Sequence, residues 1–223
     1  MKKLLYLSIT VFAFLACSQN GEQDQTDSYA NLVADIFSEI VYDQESDIYT
    51  YRNNEPVNGR YTKEFDDGSK HADLIFENGA IRSGQVMREN GTHLTTYSTE
   101  GEIRIITSYY ENENPSYRIA YLNDKSSPIE MRTWYENGTP SVKSTQSVAK
   151  IWHENGQLQS EVELVNGKMH GKGIQWHENG EIAAETYYKD DQWHGTFKKW
   201  DEEGNLISEK EYDMGKPVAE NVE

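Results

Sequence analysis

The sequence predicts an all-β fold: an elongated meander of stacked antiparallel β-hairpins, with one helix ahead of it. Three observations carry this. Landmarks recur 24 residues apart, as Gly171 to Gly195, Trp176 to Trp200, Gly180 to Gly204 and Tyr188 to Tyr212, and a fixed period of this length marks a stacked supersecondary unit. Between the glycines the pattern has period 2, with Leu158, Ser160, Val162 and Leu164 set against Gln157, Gln159, Glu161 and Glu163, as in a half-buried strand. The connections are Glu-Asn-Gly or Asx-Gly, whose residues accept the positive φ of tight hairpin turns.

Taken from the start, residues 1–16 are a different kind of sequence. Lys2 and Lys3 precede an apolar run from Leu4 to Leu15, shorter than the ~20 residues that span a bilayer. The pattern reads as a cleaved export signal. Leu15-Ala16-Cys17 resembles the lipobox of bacterial lipoproteins. That resemblance implies cleavage before Cys17, lipidation of Cys17 as the membrane anchor and, with Ser18 following, transfer to the outer membrane. As Cys17 is the single cysteine, no disulfide forms within one chain. Residues 17–28 are polar and read as a flexible tether.

Residues 29–46 form the helix candidate. Tyr29, Leu32, Val33, Ile36, Phe37, Ile40 and Val41 fall at helical spacing behind Asp27 or Ser28 as N-cap. Such a helix either covers the first sheet edge or meets a partner. From residue 47 to 216 the hairpins follow, looser at first, with turns at Asn58-Gly59, Asp67-Gly68, Asn78-Gly79 and Asn90-Gly91. Strands are expected at Ile103–Tyr110, Tyr117–Leu122 and Ile129–Trp134, although the turns between them lack glycine. Trp152 follows Trp134 by 18 residues, six short of a unit, which predicts one clipped hairpin. The irregular turns mark 103–151 as a bend or a binding surface. Residues 217–223 are a tail.

The phrases Trp152-His153-Glu154-Asn155-Gly156 and Trp176-His177-Glu178-Asn179-Gly180, with Asn166-Gly167-Lys168-Met169-His170-Gly171 between them, resemble the MORN repeat variant of bacterial YwqK-type antitoxin proteins. The likeness covers roughly residues 47–216 and is strongest from 130 onward. It implies stacked β-hairpins and, in the named members, neutralisation of a partner toxin by direct binding. It brings no catalytic residue. The export signal departs from a cytoplasmic immunity protein, so a toxin partner would have to act outside the cytoplasm.

Composition narrows the chemistry. The chain has 223 residues, a formal net charge of −17 and 36% hydrophobic residues, with a mean hydropathy of −0.84. The charge argues against nucleic acid and anionic membrane surfaces. The acids either keep a long sheet soluble or meet basic and polar partners. His153 and His177 share one repeat position, and His170 and His194 another. At two strands per repeat they lie about 10 Å apart, too far to share Zn²⁺. With no phosphate loop or nucleophile elbow, no enzyme, metal site or cofactor is expected. The expected function is that of an envelope-anchored protein-binding scaffold, antitoxin-like, with glycan capture on exposed aromatics as the alternative. Trp134, Trp152, Trp176 and Trp200, with Tyr188 and Tyr212, are expected to line one face, as cohesion between hairpins or as a binding surface. Trp193, in a turn, is the better recognition candidate.

Overall fold

The computed structural model describes residues 32–33, 35–43, 46, 48–122 and 128–218. The export signal, Cys17 and the tether lie outside the described residues. The fold is all-β, a long antiparallel meander of hairpins. It divides into two compact units, residues 1–100 and 101–223.

In the first unit a two-stranded sheet, β1 (Ile40–Asp43) with β2 (Ile48–Tyr51), precedes β3 (Gly59–Glu64), β4 (Lys70–Glu77), β5 (Ala80–Met87) and β6 (His93–Glu100). The helix expected over 29–46 does not extend that far. Among the described residues helical backbone is confined to Leu32, Val33, Asp35 and Ile36, with the Phe37 amide donating to the Val33 carbonyl at 3.0 Å. From Ile40 the chain is strand. Ile40, Val41 and Tyr42 suit a pleated surface, and Tyr42 packs on Tyr49 across the pair at 5.2 Å. That pairing overrides the helical spacing. Val33, Phe37, Ile40, Tyr49 and Val57 are buried all the same. Phe37 meets Tyr61 edge-on at 5.9 Å, and Phe76 meets Tyr49 and Tyr61, each at 5.5 Å. This aromatic nest is the unit's core.

The second unit begins with β7 (Ile103–Tyr109), β8 (Pro115–Leu122) and β9 (Pro128–Trp134), close to the three strands expected there. Then come β10 (Pro140–Thr145), β11 (Val148–Trp152), β12 (Leu158–Val165) and β13 (Lys168–Trp176). The strands β10 and β11 together are six residues shorter than β12 and β13, which is the clipped hairpin. After them run β14 (Ile182–Lys189), β15 (Gln192–Trp193), β16 (Gly195–Trp200), β17 (Leu206–Asp213) and β18 (Lys216–Pro217).

Two kinds of turn alternate. In one kind both central residues have positive φ, as in Asn166-Gly167 (53° and 75°) and Asp190-Asp191 (51° and 70°). This is the twist-matched hairpin geometry that Asx and Gly supply. In the other kind the glycine of Glu-Asn-Gly donates back three residues, as Gly156 to His153 and Gly180 to His177, both at 2.9 Å.

Alternation gives the second unit a buried and a polar face. Ile119, Met131, Ala149, Val162, Ala184 and Phe197 lie on the first. Its middle is narrow: a side chain at Gly173 would begin 2.8 Å from the Tyr188 ring and 3.1 Å from the Thr186 methyl.

Candidate functional site

On the polar face, strand alternation sets Trp134, Trp152, Trp176 and Trp200 two residues beyond Arg132, Lys150, Ile174 and Lys198. All four tryptophans are half-buried. They close their strands at a register shift, so that Trp176 faces Ile182 while Gln175 faces Ala184. Such a bulge re-aims side chains at a strand end.

Tyr188 and Tyr212 do not join them. Alternation puts Tyr188 with Ala184 and Thr186 on the buried face, where its ring covers Gly173 and burial pushes its phenol up. Tyr212 packs edge-on against Trp193 at 5.0 Å and Phe197 at 6.3 Å. Period 2 could not reveal this, because the bulges between tryptophan and tyrosine break a common count. Trp193 is itself half-buried and stacked on Phe197 at 5.5 Å. Its carbonyl accepts the Gly215 amide at 2.8 Å, as the Met169 carbonyl accepts the Asp191 amide at 3.0 Å. Trp193 therefore holds the repeat position of the buried Met169, and its ring is engaged within the chain.

Tyr110 and the residues after Trp134, Trp152 and Trp176 tie one repeat to the next. Tyr110 Oη donates to the Trp134 carbonyl at 2.8 Å, and Tyr135 Oη to that of Trp152 at 2.9 Å. His153 Nε2 reaches the Trp176 carbonyl at 3.3 Å and His177 Nε2 that of Trp200 at 3.1 Å. A carbonyl only accepts, so both imidazoles carry the proton on Nε2. Beside this column runs another. Asn155 Nδ2 donates to the Glu178 carbonyl at 3.2 Å and Asn179 Nδ2 to that of Glu202 at 2.9 Å. Each asparagine Oδ1 meanwhile accepts the amide two residues on, an Asx-turn.

In the last copy Asp201 and Glu203 replace the histidine and asparagine. Asp201 turns inward to its own loop, accepting from the Asn205 amide at 2.7 Å and from Asn205 Nδ2 at 3.1 Å. The Asn205 bonds hold its carboxyl below the usual carboxylate range.

One cluster went unseen in the sequence. Arg118 stands opposite Arg132, Arg132 opposite Lys143 and Lys143 opposite Lys150. In sequence their intervals are irregular, since unequal hairpins set them, and only the register lines them up. Farther along the same row Lys150 pairs with Glu161 at 2.8 Å and Lys198 with Glu209 at 3.3 Å. Among the described residues no group of three or more His, Asp or Glu is placed to hold a metal ion.

No curated protein matches the chain. The solved structures similar to part of it include a mutant of S. aureus TarM in complex with fondaparinux, alpha-GlcNAc-glycerol and UDP. Identity there is 12% and the TM-score 0.29, over 50% of this chain and 21% of that one. A second structure of TarM gives 8% and 0.23, over 54% and 21%. The chain thus spans about a fifth of the length of these proteins. The MORN repeat variant model matches residues 146–166, 169–190 and 193–214. These segments hold the tryptophan and histidine columns of the last hairpins: residues 146–214 are MORN repeat variant repeats.

Proposed function

We propose that the chain is a binding scaffold, held at the bacterial envelope by lipid on Cys17, that acts by presenting its polar sheet face to a protein partner and not by catalysis. The observation that carries this is the polar face of the second unit, where half-exposed tryptophans recur at one repeat position beside charged side chains. Aromatic anchors within a polar rim are what protein interfaces concentrate. The backbone needs of each hairpin are met by the turn and column bonds. The outward side chains are therefore left for recognition. A toxin acting outside the cytoplasm is one partner of this kind, as the likeness to antitoxin proteins suggests.

Affinity capture from detergent-solubilised membranes with the full chain tests it. A single protein retained by the wild type, and weakened at least about tenfold by Trp134→Ala with Trp152→Ala, is the expected result. Retention of polysaccharide alone would replace the protein partner with a glycan. Cys17→Ala is expected to move the protein to the soluble fraction; persistent membrane association counts against the anchor.

A further inference from the structure

The four cations in register on β8 to β11 are the least expected arrangement in the molecule. Like charges directly opposite on neighbouring strands destabilise a sheet, and the chain carries a net charge of −17. Composition alone does not gather four cations here. Two carboxylates answer them. Glu130 Oε1 accepts from Arg118 Nη1 at 2.7 Å and Arg132 Nε at 2.9 Å. Glu130 Oε2 accepts from Arg132 Nη2 at 2.9 Å and faces Lys143 Nζ at 3.5 Å. Lys150 is paired with Glu161. Burial works to raise the Glu130 carboxyl, but Arg132 and Lys143 outweigh it and hold the group ionised below the usual range.

The donors exceed the acceptors. A guanidinium has five N–H groups, of which Arg118 gives one and Arg132 two to Glu130. The four side chains keep between 28% and 40% of their surface exposed. Solvent thus faces a line in which donors outnumber acceptors: Glu130 is shared by Arg118, Arg132 and Lys143, and Glu161 binds Lys150 through one oxygen.

From this we infer that the row Arg118, Arg132, Lys143 and Lys150 is the docking site for an acidic, extended segment of a protein partner. The inference rests on the scaffold reading above and adds the partner's chemistry. Ionised carboxylates only accept, so a string of them matches a line that only donates. A neutral sugar hydroxyl accepts as well, but its bonds to cations are weaker than those of an ionised carboxylate. The dimensions agree. Four strands at about 4.8 Å spacing make a row of roughly 14 Å, and acids at the first, third and fifth positions of an extended chain span about the same length. Trp134 and Trp152, two residues beyond Arg132 and Lys150 on the same face, stand where an apolar residue of the segment would rest. The segment crosses the strands, so side chains and not added strand pairing recognise it.

The test uses the full chain in detergent with poly-L-glutamate as the acidic polypeptide probe, polygalacturonate as the acidic glycan probe, and binding read by thermophoresis at low and high salt. Lys143→Gln with Lys150→Gln thins the row without leaving a buried charge, and circular dichroism checks that the variant is folded. Lys168→Gln with Lys189→Gln, at the ends of β13 and β14 away from the row, is the control. The expected result is that poly-L-glutamate binds, more weakly as salt rises, and that the row variant loses about tenfold or more while the control does not. Undiminished binding by the row variant, or no binding of poly-L-glutamate by the wild type, overturns the inference. Equal or tighter binding of polygalacturonate, lost in the same variant, reassigns the row to an acidic glycan and overturns it too. The scaffold reading is judged separately: a partner captured from membranes that binds the row variant as well as the wild type refutes the acidic segment alone.

Discussion

At Gly84, in the middle of β5, a single methyl group has nowhere to go. Its φ is +139°, and a Cβ there would run into the Asp73 carbonyl and lie 2.8 Å from the Leu74 Cα. Those are backbone atoms of β4, which cannot swing aside. Gly91 also has positive φ, +82°, but nothing lies within 4 Å of an added Cβ. Gly91→Ala is expected to cost about 1–2 kcal/mol from conformation alone, and Gly84→Ala roughly 2–4 kcal/mol, as measured by urea unfolding. Equal losses would show that packing at β4 is not the difference. Both glycines are visible in the sequence, but the text gives no sign of which has room. Toward the other neighbour of β4, Asp73 accepts from Arg60 Nη2 of β3 at 2.6 Å, and from Lys70 Nζ of its own strand at 2.8 Å. The Arg60 bond above all, then Lys70, holds its carboxyl well below the usual range. A lowered carboxyl pKa contributes stability that is fully present above the ordinary value of about 4 and is lost as pH falls through the lowered one. The thermal midpoint of the wild type should accordingly fall more steeply below about pH 4 than that of Asp73→Asn. Since Arg60 is 63% exposed, added salt should shrink the difference; parallel pH profiles would remove Asp73 from the account.

Within a hairpin, the turn residues were readable because their chemistry is local. Asn-Gly at 166–167 and Glu-Asn-Gly at 154–156 name their own geometry, and the period-2 runs between them became β12 to β14. The clipped hairpin was likewise legible from the short interval between two tryptophans. What links one hairpin to the next is visible in the sequence only as a recurring residue type: the residue after Trp134, Trp152 and Trp176 and the asparagine two further on donate to the following repeat. His177→Ala removes one such bond and should lower stability by about 1 kcal/mol, whereas Asn179→Ala also removes the Asx-turn bond from the Glu181 amide and should lower it by about 1–2 kcal/mol. The pair should lose roughly the sum if the two columns act independently. Tyr135→Phe removes the hydroxyl alone and provides the same comparison without lost packing. Hydrogen exchange at the amides of β16 would rise in the His177 variant, and unchanged exchange would mean the column carries no load. The N-terminal helix failed for the opposite reason. Its spacing was local and clear, yet the strand pairing of Tyr42 with Tyr49 depends on residues that spacing does not consult.

Across the whole chain, the feature least legible in the sequence is the alignment of side chains on strands far apart in number. Arg118, Arg132, Lys143 and Lys150 become neighbours only once every hairpin length and bulge is known. The separation of Tyr188 and Tyr212 from the tryptophans has the same origin. Architecture of this kind is a sum of near-identical parts, each bonded to its predecessor. Copying residues 169–192 once, directly after Asp191-Gln192, should thus give a folded chain with β-sheet dichroism and urea m-value both increased in proportion to length; an aggregated or partly unfolded product would show that the repeats are not interchangeable. The substitutions at Asp201 and Glu203 bear on where such growth is allowed. A new module placed after the final loop would offer its carbonyl oxygens to two negatively charged side chains, and oxygen would confront oxygen. Duplication inside the array instead sets a histidine and an asparagine donor against those carbonyls, so insertion between repeats should be tolerated better than insertion behind Asp201 and Glu203.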